Sequence, residues 1–237
     1  MTLLDPGIMQ VDSILERRSD DTLEAPTPWR QSGGAATVST SVRRLLFVIN
    51  SLEGGGAERV FSVLVNHIQP YLNRVEIDVL LLDDKRQRYE ITAPVGFFCL
   101  QSDGSLWQSA LRFKYFLDVR RPDLVISFLT RANYLAAAFS RLYGYRCIIS
   151  ERSDTSGRLG GGIAGWCKKR LVRSLYPQAH SVIAVSEGIK HSLATDYGVT
   201  DSAISVIHNP CDLPRVHELA QDVPLDSEVV GHDLELR

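Results

Sequence analysis

The sequence of 237 residues lacks most features that would place it in a membrane, outside the cell or around a metal. No apolar stretch approaches the roughly 20 residues that a membrane span requires, and runs such as Val79–Leu82 fall far short. Met1–Gln10 lacks a basic segment followed by a continuous apolar run, so a secretory signal is not expected and the cytoplasm is the expected compartment. The four cysteines (Cys99, Cys147, Cys167, Cys211) are widely separated with no paired ligand spacing. That predicts unpaired thiols in a reducing compartment and no metal site. A formal net charge of -2 gives no global pull toward nucleic acid, so no nucleic-acid partner is expected.

What remains is an ordinary globular composition, 44% hydrophobic and 23% charged, long enough for one good core. Residues 1–42 mix charges with Ala25-Pro26-Thr27-Pro28 and Ser32-Gly33-Gly34 without a sustained period, which predicts a disordered leader. From Arg44 the pattern changes: Leu45-Leu46-Phe47-Val48-Ile49 is a short apolar run of the kind buried on both faces of a parallel sheet. Gly54-Gly55-Gly56 then opens a helix whose apolar positions Val60, Leu64 and Ile68 recur every fourth residue until Pro70.

The alternation continues with expected strands over 75–82, 95–100, 124–129, 146–150, 182–185 and 204–207. The expected helices cover 106–120, 134–142 and 188–197. This order predicts an α/β fold with a Rossmann-like, doubly wound, mostly parallel sheet over 43–213 and a linker or tail over 214–237.

In such a sheet the ligand lies beyond the carboxyl ends of the strands, so the residues after each strand are the candidates. After the first strand, the glycines bring backbone amides to a helix N-terminus, where a phosphate is favoured by the exposed N–H groups and the helix dipole. The loop has neither the third glycine of G-x-G-x-x-G nor the Gly-Lys-Ser/Thr of a P-loop, which removes the signal for those two cofactor classes. A tight strand-to-helix connection explains the same glycines without a ligand. Glu58 and Arg59 serve equally as first-turn surface residues, and Ser186 reads first as a helix N-cap.

Gly55-Gly56-Ala57-Glu58-Arg59 resembles the first-loop signature of the family 4 glycosyltransferases. Later segments reinforce it in the family's order: Ser127-Phe128-Leu129 with Asn133, then Ser150-Glu151-Arg152-Ser153-Asp154, then Val185-Ser186-Glu187-Gly188 with Ile207-His208-Asn209-Pro210. The resemblance implies one half of the two-domain architecture called GT-B and a retaining, metal-independent enzyme that uses a nucleotide-sugar, expected to be UDP-linked, as co-substrate without a further cofactor. It places Gly55 and Gly56 near the donor diphosphate, and Glu58, Asn133, Glu151 and Arg152 along the cleft for a glycan or lipid-linked acceptor in cell-surface polysaccharide assembly.

Two departures from the family pattern qualify this reading. Several members carry a histidine after the fourth strand, where this chain has Phe128, Leu129 and Thr130, so no catalytic histidine is nominated. The family pattern also continues past Asn209-Pro210-Cys211-Asp212 into a second Rossmann-like domain that holds the donor. No such domain is expected within these residues, so the chain is expected to be truncated or to rely on a donor domain from another polypeptide, and to transfer sugar poorly alone. A non-catalytic remnant or binding module that keeps only the acceptor cleft is the rival reading.

Between Arg141 and Arg173 eight basic residues face two acidic ones, with Ile163, Trp166, Leu171 and Leu175 interleaved. Two readings stand side by side: peripheral contact with an anionic membrane at the inner face of the cell membrane, and a helix with a solvated basic face.

Overall fold

The computed structural model describes residues 9–10, 42–72, 74–152 and 162–210. The assignments for the remaining leader, the 214–237 tail, Ser153, Asp154, Arg158 and Cys211 lie outside the described residues. In chain order the strands are β1 (Met9–Gln10), β2 (Arg44–Ile49), β3 (Glu76–Leu81), β4 (Gly96–Cys99), β5 (Leu124–Phe128), β6 (Arg146–Glu151), β7 (Ser181–Ala184) and β8 (Ile204–Val206). The α-helices are α1 (Gly56–Ile68), α2 (Leu106–Arg120), α3 (Thr130–Tyr143), α4 (Gly162–Leu175) and α5 (Glu187–Tyr197). None of the described helices is long and apolar enough to cross a membrane.

The strands form one sheet in the order β1-β4-β3-β2-β5-β6-β7-β8, with every pair parallel. This is the Rossmann-like α/β fold. Within the leader, Met9–Gln10 adds to the edge by pairing with Phe98 and Cys99. From β2 the chain steps outward through β3 to β4, then returns to place β5 on the other side of β2, so the strand order reverses between β2 and β5. Helices springing from β2 and β5 there diverge, leaving the crevice in which such sheets bind ligands.

Alternation along β2 explains its unbroken apolar run. Leu45, Phe47 and Ile49 enter one core cluster with Phe61 and Val65 of α1, while Leu46 and Val48 enter another with Phe113, Phe116 and Leu117 of α2. A strand covered on both faces has no polar side to show. Phe61 packs edge-on against Phe47 at 6.0 Å and Phe128 at 5.2 Å, locking α1 across β2 and β5.

The amino ends of the strands are tied by ions. Arg120, at the end of α2, donates to both Asp78 carboxylate oxygens at 2.9 and 2.7 Å and to Glu76 at 2.6 Å, and lies over the Phe98 ring. Asp123 accepts from the backbone N–H groups of Arg43 and Arg44 at 2.8 and 2.9 Å. These groups stand at the opposite edge of the sheet from the crevice and secure the frame.

Candidate functional site

On the β2 side the crevice is a glycine loop held from below. Asn50 accepts Ala132 N–H through Oδ1 at 3.2 Å and Asp83 N–H through its carbonyl at 2.8 Å, joining β2, β3 and α3. Gly54 has φ +129°, and a Cβ there would stand 2.6 Å from Arg88 Cδ, so both backbone shape and space favour glycine. Gly55 is the N-cap of α1 and supplies no side-chain acceptor to the helix. Gly56 begins the helix with open space where a Cβ would be. The α1 start therefore presents N–H groups without a capping side chain from Gly55, at the positive end of the helix dipole. The Glu58 carboxylate folds back beside Gly55, with Oε2 2.5 Å from the position of an added Cβ.

Across the crevice, the β5–α3 turn is strained. Leu129 has φ 72° and ψ 149°, a conformation rarely adopted by side-chain-bearing residues. Its carbonyl accepts Asn133 N–H at 2.9 Å, which starts α3 at Thr130 rather than at the expected residue 134. Arg131 pairs with the buried Asp83, whose other oxygen accepts Gly104 N–H at 2.9 Å. This part-buried pair joins three strand-end loops.

Next to the turn lies a directional chain of buried hydrogen bonds. Ser127 Oγ donates to Asn133 Oδ1 at 2.8 Å; Asn133 Nδ2 donates to the Ser150 carbonyl at 3.2 Å and Tyr176 OH at 3.3 Å; Tyr176 OH donates to Glu151 Oε2 at 2.6 Å. Asn133 and Tyr176 are 0% exposed and Glu151 1%. Burial, then the Glu151 charge, pushes the Tyr176 phenol well above its ordinary range, so it remains a donor, and burial with Glu151 pushes Tyr134 up to about 12. A carboxyl group at this depth requires hydrogen-bond partners, and Tyr176 is one.

Arg152 follows Glu151 and turns toward β5. Its guanidinium carbon stands 5.2 Å from the Phe128 ring centroid, and Nη1 reaches Ser150 Oγ at 3.5 Å. Further along the same edge, Ser186 caps α5 by accepting Ile189 N–H at 3.3 Å, and His208 Nδ1 meets the Val185 carbonyl at 2.9 Å.

The candidate residues thus fall into two groups. Gly55, Gly56 and Glu58 stand together at the α1 start, while Asn133, Glu151 and Arg152 surround the ends of β5 and β6. Asn133 spends its side chain on the bonds just described among the described residues and has no exposed surface. Sequence reasoning missed Tyr176 and the Asp83–Arg131 pair. The Asp83-Asp84 doublet after β3 was the available signal for the second, whereas nothing in Leu175-Tyr176-Pro177 marks the first.

Comparisons with known proteins agree with this fold. The chain is 27% identical over 203 residues to an N-acetylgalactosamine-N,N'-diacetylbacillosaminyl-diphospho-undecaprenol 4-alpha-N-acetylgalactosaminyltransferase of Campylobacter jejuni, a match covering 80% of this chain and 54% of that protein. The fold is similar to that of Anabaena HepE crystallised with UDP and glucose (TM-score 0.55, 23% identity, 76% of this chain and 49% of that one). It is also similar to UDP-N-acetylglucosamine 2-epimerase from Rickettsia bellii (TM-score 0.53, 10% identity, 81% of this chain and 50% of that one). Likeness at these identities shows the fold and does not choose a reaction. The chain spans about half the length of these relatives. The model of Glycosyltransferase Family 4 matches residues 54–215, from the glycine loop past β8, and the chain belongs to that family.

Proposed function

We propose that this chain forms the acceptor-side wall of a retaining, nucleotide-sugar-dependent glycosyltransferase that extends a lipid-linked glycan in cell-surface polysaccharide assembly. The observation that carries the reading is the pairing, across the β2/β5 crevice, of a glycine-opened helix start with the Glu151–Arg152 edge. The Campylobacter relative is named for transfer to a diphospho-undecaprenol-linked saccharide, and the HepE structure contains UDP and glucose, which support this substrate class.

In the proposed reaction the bond between the anomeric carbon and the donor phosphate oxygen breaks, and a bond to an acceptor hydroxyl oxygen forms. The hydroxyl proton is released and the nucleoside diphosphate leaves. Gly55 and Gly56 let the leaving diphosphate approach the α1 start, whose N–H groups stabilise its charge. Glu58 and Arg152 hold the acceptor, and Glu151, buried and bonded to Tyr176, fixes the end of β6 from which Arg152 projects. Asn133 is a positioning residue acting through Tyr176 on Glu151. The described residues supply one wall of the cleft, so transfer requires a second, donor-gripping domain, and residues 42–210 alone turn over weakly.

At the membrane, α4 offers Trp166, 62% exposed, with the Arg170 guanidinium 5.6 Å from the centre of its ring. We assign this face to peripheral contact with anionic lipid. Vesicle binding that survives neutralisation of Lys169 and Arg170 removes the assignment.

The test is release of UDP from UDP-N-acetylhexosamines by the full chain with a prenyl-diphosphate-linked saccharide, with and without the C-terminal half of a relative added in trans. Turnover only with the added half is expected. Acceptor binding without turnover in either arm favours the binding-module reading, and full turnover by the chain alone overturns the half-cleft reading.

A further inference from the structure

Arg152 carries a positive charge that the described protein leaves uncompensated. No carboxylate lies within ion-pairing distance of it among the described residues. Its Nε and Nη2 are shielded from solvent and have no hydrogen-bond partner, and Nη1 makes only the long contact to Ser150 Oγ. The neighbouring Glu151 carboxylate is engaged by Tyr176 instead. Burial pushes the guanidinium below its ordinary range, yet this group stays protonated in proteins. A desolvated cation without partners costs stability, and a fold retains it where something else supplies the acceptors.

The orientation indicates where those acceptors come from. Stacking over Phe128 draws the guanidinium from the end of β6 back over the end of β5, beside the Leu129 turn where α3 begins. One face of the cation is occupied by the ring, while its edge keeps two unused N–H positions, Nε and Nη2, on adjacent nitrogens. That is the fork that meets two oxygens of one phosphate. The N-terminus of α3, with its positive dipole end, lies at the same strand end.

We infer that Arg152 is a phosphate-binding residue of this crevice, gripping two oxygens of a phosphate group through Nε and Nη2. The inference rests on the reading of the cleft given above and deepens it, because it assigns Arg152 to the phosphate of a substrate rather than to its sugar. A prenyl diphosphate acceptor and a nucleoside diphosphate donor share that chemistry.

Titration calorimetry of the full chain with geranyl diphosphate, UDP and inorganic pyrophosphate, for wild type, R152M and R152K, tests it. R152M is expected to weaken at least one of the two organic diphosphates by about tenfold or more, as for loss of a charge-assisted fork. Loss confined to geranyl diphosphate identifies the acceptor as the source, and loss confined to UDP the donor. R152K keeps the charge without the fork and is expected to fall between the two. R152M is also expected to melt at the same or a higher temperature, since it removes an uncompensated cation. Unchanged affinities, failure of wild type to bind any of the three phosphates, or unfolding of R152M overturns the inference.

Sugar transfer is read separately. Arg152-dependent phosphate binding by a chain that never supports transfer leaves this site standing while the transferase reading falls. Transfer with Arg152-independent phosphate binding does the reverse.

Discussion

Tyr176 OH donates to Glu151 Oε2 at 2.6 Å, joining the residue that follows α4 to the last residue of β6 inside the protein. Removing the hydroxyl with Y176F deprives a buried carboxylate of a donor and takes an acceptor from Asn133 Nδ2. Loss of about 1–3 kcal/mol is expected in urea unfolding. Acceptor binding is expected to weaken as well, because Glu151 loses an anchor. Full stability in Y176F would remove the relay from the account of the site.

Gly54 and Gly56 separate structure from function within one loop. G54A places a side chain at φ +129° and against Arg88, and should cost about 1–3 kcal/mol. G56A meets open space at the first helical position and should melt at the wild-type temperature or above. If Gly56 allows a diphosphate to approach, G56A nevertheless weakens UDP-sugar binding, measured on the chain complemented with a donor domain. Unaltered binding would reduce Gly56 to a connector.

At the far edge of the sheet, R120M strips Asp78 of both its Arg120 bonds. Burial pushes the Asp78 carboxyl up more than Arg120 pulls it down, so an unpaired Asp78 is unfavourable at neutral pH. A loss of about 3 kcal/mol is expected by thermal or chemical unfolding, with diphosphate affinity unchanged below the transition. Altered affinity would contradict the division between frame and crevice.

His180 carries a pH signature. Its Nδ1 accepts Cys147 N–H at 3.1 Å, and partial burial, then Arg146, lowers its pKa from the usual 6.5. The unfolded chain binds the proton more readily, so the contribution is present above about pH 6.5 and is lost as the pH falls through the lower folded value. H180Q is expected to flatten the stability profile between pH 7 and 5. An unchanged slope would show that Nδ1 is not held neutral.

The parallel fold was readable because its signals are local. β2 is an unbroken apolar run since both its faces are covered, and the glycine loop and the Ser186 cap announce helix starts through backbone chemistry that neighbouring residues carry. The α3 start was missed because positive φ falls on Leu129 rather than on glycine. Asn50 and the Leu129 carbonyl organise the first turn through bonds to Ala132 and Asn133.

By itself, the order of apolar runs, glycines and polar loop residues determined that this chain builds a parallel sheet, and which loops leave the carboxyl ends of its strands. Only the tertiary structure decided the chemistry along those ends. Asn133 meets Tyr176 from 43 positions away and Glu151 meets it from 25, so no local pattern records their chain of bonds. Arg152 became the open cation because folding paired Glu151 with Tyr176 and laid the guanidinium on Phe128. The reason is physical: periodicity is set between neighbours in sequence, whereas the partners of a buried charge are set by which strands lie side by side.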